Sequence, residues 1–115
     1  MIAVIFEVNL KQGGVQGYFD QAQSLKKALI KMPGFISVER FQSLAETEEE
    51  APAKILSLSF WQDEAAVIAW RNQMMHNKAQ VLGREELFDD YRIRVASVIR
   101  DYGLTERVEA PKAFG

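Results

Sequence analysis

Pro33-Gly34-Phe35-Ile36-Ser37-Val38-Glu39-Arg40-Phe41-Gln42 is the segment on which the topology turns. Pro33 disfavours helical geometry at Met32 and Gly34 tolerates a tight turn, so a helix arriving from the N-terminal side must stop here. The residues that follow alternate as a strand over 35–42. Phe35, Ser37, Glu39 and Phe41 share one face, and Ile36, Val38, Arg40 and Gln42 share the other.

On the N-terminal side of that turn, Tyr18, Ala22, Leu25, Leu29 and Met32 recur at helical spacing. They predict an amphipathic helix over 17–32. Further back, Ile-Ala-Val-Ile-Phe-Glu-Val-Asn over 2–9 is β-branched and aromatic. It predicts a strand buried on both sides, closed by the turn-forming Lys11-Gln12-Gly13-Gly14. On the C-terminal side, the acidic run from Glu46 to Pro52 is expected to be a solvated loop tip. Residues 54–61, Lys-Ile-Leu-Ser-Leu-Ser-Phe-Trp, predict a third strand. Asp63 is placed to cap a second helix, along which Val67, Trp70 and Met74 recur. That pattern runs to about Leu82, is interrupted at Gly83, and allows a short helical turn over Arg84–Phe88. Residues 91–101 predict a fourth strand, and from Gly103 onward no period is visible.

The order is βαββαβ. It predicts an α+β, ferredoxin-like fold: an antiparallel sheet with both helices on one face. A single domain over 1–102 and a C-terminal tail over 103–115 are expected. The second sheet face would be bare in a monomer yet carries apolar side chains, so a homodimer packed sheet on sheet is expected.

Composition narrows the function. The chain has 115 residues, a formal charge of −2, 48% hydrophobic and 26% charged residues, no cysteine and one histidine, His76. Thiolate–zinc and cysteine-nucleophile chemistry are excluded, and no cofactor or metal is expected. Nucleic acid is not an expected partner, because phosphate binding needs clustered cations. No run approaches the roughly 20 apolar residues of a membrane span. The start, Met1-Ile2-Ala3-Val4, has no basic segment of the kind that opens a signal peptide, so a cytoplasmic location is expected.

Two groups of residues look familiar. One is Pro33-Gly34-Phe35 with Val38-Glu39. The other is Ser59-Phe60-Trp61-Gln62-Asp63-Glu64-Ala65, then Ala69-Trp70-Arg71-Asn72, His76, Ala79-Gln80, Gly83-Arg84 and Phe88-Asp89-Asp90-Tyr91-Arg92-Ile93. In this order they resemble the antibiotic biosynthesis monooxygenase (ABM) domain family of dimeric α/β barrels, over roughly residues 2–102. The resemblance implies a homodimer with a pocket between sheet and helices in each subunit. It also implies a cofactor-independent monooxygenase that oxidises a small aromatic or quinol-like substrate with O₂. A non-catalytic small-molecule binder or a stress-related barrel protein is the alternative, since family membership constrains fold more than reaction.

The haem-degrading branch is a weaker fit. It uses a histidine ten residues after the helical tryptophan, and in this chain Trp70 is followed at that distance by Gln80. His76 stands only six positions on and faces differently.

Candidate site residues follow. His76 is the only imidazole and the natural near-neutral acid or base. Trp70 offers a flat face and an N–H to an aromatic substrate. Asn9 could hold a substrate oxygen. These three are the candidate catalytic residues. Arg92 and Arg94 share a strand face and could clamp a phenolate or carboxylate, or pair structurally with Glu7 or Glu39. Ser57 and Met74 complete the candidate substrate-binding set. Trp61 is expected in the core.

Overall fold

The computed structural model describes residues 1–11, 13–44, 54–75 and 88–112. They form β1 (Ile2–Leu10), α1 (Val15–Leu29), β2 (Phe35–Gln42), β3 (Lys54–Trp61), α2 (Glu64–Met75) and β4 (Phe88–Ser97). All pairings are antiparallel and the strand order is β2-β3-β1-β4. This is the α+β, ferredoxin-like arrangement that the element order predicts. The acidic run 46–52, His76, the helical pattern over 76–82, Gly83 and residues 84–87 lie outside the described residues.

The register sorts the strands into two faces. Ile2 pairs with Trp61 and Ser97, Val4 with Ser59 and Val95, Phe6 with Ser57 and Ile93, and Val8 with Ile55 and Tyr91. On β2, Phe35, Val38, Arg40 and Gln42 oppose Trp61, Ser59, Ser57 and Ile55. These positions form four rows across the helix-facing side. The other side carries Ile5, Glu7 and Asn9 of β1, Leu56, Leu58 and Phe60 of β3, and Arg92 and Arg94 of β4.

The helix-facing side holds two separate cores. Val8, Leu10, Ile55 and Tyr18 form one at the C-terminal end of β1, with Phe6 and Phe88 packed on it. Leu29, Trp61 and Ala66 form the other at the opposite end, joined by Ile2, Val4, Met32, Phe35, Val38, Val67 and Trp70. Trp61 is buried as expected, and its indole N–H donates to Ser59 Oγ at 3.0 Å.

Local chemistry explains where the elements end. Asp63 caps α2, its Oδ1 accepting from the Ala66 N–H at 2.9 Å. α1 stops at Leu29, three residues short of the expected end. Lys31 and Met32 donate to the carbonyls three residues back, because Pro33 denies Met32 full helical geometry. β4 starts at Phe88 and ends at Ser97, where the sequence pattern predicts 91–101. It pairs with β1 over Leu10↔Phe88 to Ile2↔Ser97, so it stops where β1 runs out. Phe88 is therefore strand and not part of a helical turn.

Two readings of strand faces also change. A bulge between Phe35 and Ser37 takes Ile36 out of the ladder. Phe35 thus joins Val38 and Arg40 on the helix side, while Ser37, Glu39 and Phe41 turn the other way. No residue of β1 is exposed, but burial is uneven: Val8 and Leu10 are buried under the helices with Ile2, Val4 and Phe6 half-buried, and on the other face Ala3 is buried while Ile5, Glu7 and Asn9 are half-buried.

Beyond β4 the chain folds on itself. Gly103 N–H donates to Glu106 O at 2.8 Å, Arg107 returns to Gly103 O at 2.8 Å, and the Arg107 guanidinium lies 5.2 Å from the Tyr102 ring centre.

Candidate functional site

Where the two cores meet, a band of the sheet face is interrupted by polar residues. Its rows run Val38–Ser59–Val4–Val95 and Arg40–Ser57–Phe6–Ile93; Val38 and Val4 also pack on the Trp61 core and Phe6 on the Val8 core. Ser57 and Ser59 stand in the middle of a sheet face, under the helices, where packing alone would select β-branched or aromatic residues. α2 leaves its capped start beside Trp61 and runs back along the sheet. It rises about 1.5 Å per residue, against a row spacing of roughly 6.8 Å. The Trp70–Met74 turn is thereby carried toward the two polar rows. Trp70 still packs on the Leu29–Trp61–Ala66 core, its ring centre 6.5 Å from that of Trp61, and Met74 is half-buried one turn on.

Arg40 decides the electrostatics of this band. Among the described strand residues facing the helices it is the one charged side chain. The acids Glu7 and Glu39 point to the opposite face, and Arg40 forms no ion pair with a described carboxylate. The residue is half-buried, and its Nε is shielded from solvent with no hydrogen-bond partner. A buried donor left unpaired costs about 1–3 kcal/mol, so native structures retain few of them. At the β4 end the band is open: Ile93 is 53% exposed and Val95 50%.

The sequence-predicted residues divide between the two faces. Trp70, Met74 and Ser57 lie on the helix side. Asn9, Arg92 and Arg94 lie on the other. There Asn9 and Arg92 line a small hollow of about 140 Å³ with Glu7, Lys54, Asp90 and Tyr91. Glu7 Oε1 meets Arg94 at 3.5 Å and its Oε2 meets Lys54 at 3.4 Å. Arg94 is thus engaged in the structural pairing weighed for it above. A sheet about one residue thick separates the two groups, so they do not form one constellation. His76 is outside the described residues.

A wider open groove, about 480 Å³, lies between the helices and is lined by Ser24, Lys27, Ala28, Lys31, Met32 and Gln73. It contains none of the residues singled out from the sequence. Among the described residues, no group of three or more His, Cys, Asp or Glu could hold a metal ion. No described helix is long and apolar enough to cross a membrane.

Arg40 is the residue that sequence reasoning passed over. Its alternation with Val38 was visible, but only the sheet register shows that this shared face is the one beneath the helices.

A family model described as antibiotic biosynthesis monooxygenase matches residues 1–82. The chain belongs to the ABM family. Its relatives include the jasmonate monooxygenase ABM of Pyricularia oryzae, 40% identical over 98 residues, which cover 85% of this chain and 43% of that protein. The uncharacterized protein YqjZ of Bacillus subtilis is 31% identical over 98 residues, covering 85% of this chain and 79% of that one. The chain therefore spans less than half the length of the first relative and about four fifths of the second.

Solved structures repeat the ABM fold at low identity. A conserved protein from Methanosarcina mazei superposes with a TM-score of 0.63 at 22% identity, covering 83% of this chain and 89% of that one. The haem degrader MhuD of Mycobacterium tuberculosis does so at 0.59 and 15%, covering 90% and 100%. At such identities the likeness concerns the fold, and the ABM fold evidently hosts more than one chemistry.

Proposed function

We propose that this ABM-family chain is a cofactor-independent monooxygenase. It oxidises a small, largely apolar aromatic or quinol-like molecule with O₂ in the band between the sheet and its helices. The observation that carries this reading is the interrupted core: Ser57 and Ser59 on the central strand β3 and Arg40 on the edge strand β2 occupy helix-facing positions where the two clusters meet. The name of the Pyricularia oryzae relative supports the reaction class.

The chemistry asks little of the protein beyond substrate activation and a dry site. O₂ reacts slowly with closed-shell molecules, so the substrate must be made electron-rich by losing a proton. Oxidation of an activated CH₂ by O₂ then yields a carbonyl and water, with all four electrons that reduce O₂ drawn from the substrate carbon. Within this proposal His76 takes the proton, and Trp70 stacks on the ring and directs its N–H to the developing oxyanion. Ser57 and Met74 line the band. Haem chemistry is not supported, because the single imidazole stands at the wrong spacing from Trp70.

The working unit in this proposal is a homodimer. The sheet face away from the helices presents Ile5, Leu56, Leu58 and Phe60 half-buried and Phe41 45% exposed. Ile99, Leu104 and Val108 beyond β4 are 85–95% exposed. The chain measures 47 × 36 × 19 Å with a radius of gyration of 16.3 Å, against about 13 Å for a compact chain of roughly 100 residues. A second copy against the open face would cover this surface, where Glu7 already pairs with Arg94 and Lys54. Asn9 and Arg92 then belong to the interface side of the sheet.

Oxygen consumption with dihydroxyanthracenes, quinols and phenols tests the activity. Turnover should fall at least tenfold in Trp70→Phe and His76→Ala, and turnover unchanged in both variants refutes the site. Sedimentation at micromolar concentration should show a dimer; a monomer refutes the assembly.

A further inference from the structure

The helix-facing band contains a cation that nothing among the described residues neutralises. The Arg40 Nε is buried without an acceptor, and across the register stands Ser57, whose hydroxyl can also donate. From Arg40 the row continues over Phe6 on β1 to Ile93 on β4, apolar and half-open to solvent at its far end. With strands roughly 4.8 Å apart, the span from β2 to β4 is about 14 Å. The band is therefore polar and positive at its β2 end and apolar at its β4 end.

We infer that Arg40 is an anion anchor, and that the ligand of this band is an amphiphilic carboxylate. Its head meets the Arg40 guanidinium and the Ser57 hydroxyl, and its apolar body lies across Phe6 toward Ile93 and Val95. A carboxylate suits the site better than a neutral carbonyl. It supplies two acceptor oxygens to a guanidinium fork and turns an unpaired buried donor into a charge-assisted hydrogen bond. It also meets a half-buried cation whose Nε is shielded from water without a partner. The inference rests on the reading of this band as the ligand site, and it narrows the substrate class to acids about 10–14 Å long, by the strand spacing above.

The test is calorimetric titration of the full chain under argon, at pH 7.5, with 2-naphthoate and its neutral counterpart 2-naphthamide. The wild type should bind the acid at least tenfold more tightly than the amide, and more tightly than the shorter benzoate. Arg40→Gln should lose the acid-over-amide preference while keeping its affinity for the amide. Arg40→Lys, which keeps the charge but not the fork, should retain part of the preference.

Equal affinity of the wild type for acid and amide overturns the inference, and this comparison requires no variant to fold. A preference that survives in Arg40→Gln, or no saturable binding of 2-naphthoate at millimolar concentration, overturns it as well. Binding without O₂ separates this inference from the oxidation reading. Acid selectivity without oxygen consumption upholds the anchor and removes the monooxygenase, and the reverse result does the opposite.

Discussion

Gly34 offers the sharpest test of how α2 is held against the turn that opens β2. Its φ is +85°, and a Cβ placed on it would stand 2.7 Å from the Ala66 Cβ. The same turn is tied by the Gln62 N–H donating to Gly34 O at 2.8 Å. Gly34→Ala therefore carries two separable costs. The left-handed backbone costs an L-residue about 1–2 kcal/mol, reduced by roughly 0.4–1 kcal/mol through the stiffer unfolded chain. Forcing a methyl group against α2 adds about 1–3 kcal/mol.

The net loss expected is about 1–4.5 kcal/mol, a large part of the roughly 5–15 kcal/mol that stabilises a domain of this kind. Gly13 supplies the control. It has φ +80° with nothing within 4 Å of the added carbon, so Gly13→Ala should show the backbone cost alone. Urea unfolding followed by the fluorescence of Trp61 and Trp70 measures both, at one protein concentration so that any association cancels. In the Gly34→Ala background, Ala66→Gly should recover part of the loss, after allowing about 1 kcal/mol for glycine in a helix. The residual coupling should be about 1–2 kcal/mol. If Gly34→Ala is no more destabilising than Gly13→Ala, or if the two changes at 34 and 66 simply add, the close approach of β2 to α2 is not what selects glycine here.

Other outcomes follow from the same geometry. Asp63→Ala should cost about 1 kcal/mol by orphaning the Ala66 N–H, a fall of roughly 4 °C in melting temperature, and Asp63→Asn should retain most of the stability. Ser57→Val should leave the melting temperature unchanged or raise it, because it adds apolar area at a half-buried position worth about 25 cal/mol per Å². The same substitution should weaken 2-naphthoate binding several-fold. A loss of more than about 1 kcal/mol in Ser57→Val would show the band to be packed core.

Much of the architecture was legible because it rests on local rules. The Pro33-Gly34 turn, the capping Asp63 and the face running through Tyr18, Ala22 and Leu29 each act within a few residues of themselves. Element ends were less legible. β4 stops at Ser97 although the β-branched pattern continues to Ile99, because its partner β1 has ended. The bulge at Ile36 reverses the facing of Phe35 relative to Glu39 and Phe41, a slip that alternation alone does not reveal. The site was legible only in part. Trp70, Met74 and Ser57 fall on the helix side. Asn9, Arg92 and Arg94 had the right chemistry for a pocket, but odd–even parity on β1 and β4 sends them to the other face. Arg40 went unselected because an arginine alternating with Val38 is ambiguous until one knows which face the helices cover.

By itself, the sequence determined the order of strands and helices, the absence of cysteine chemistry, the single imidazole and the family. The first three follow from residue identity and short-range periodicity, and the family from the resemblance of its ordered motifs. Tertiary structure alone decided which side chains meet. Strand pairing assigns each residue to a face, and the faces differ in what they exclude from water. On one face Glu7 lies against Arg94 and Lys54. On the other, the Arg40 Nε is buried without an acceptor, and no described carboxylate pairs with the side chain. An arginine near acids in sequence carries no such distinction. It arises because a sheet one residue thick separates charges that are neighbours along the chain, leaving Glu39 on one side and Arg40 on the other.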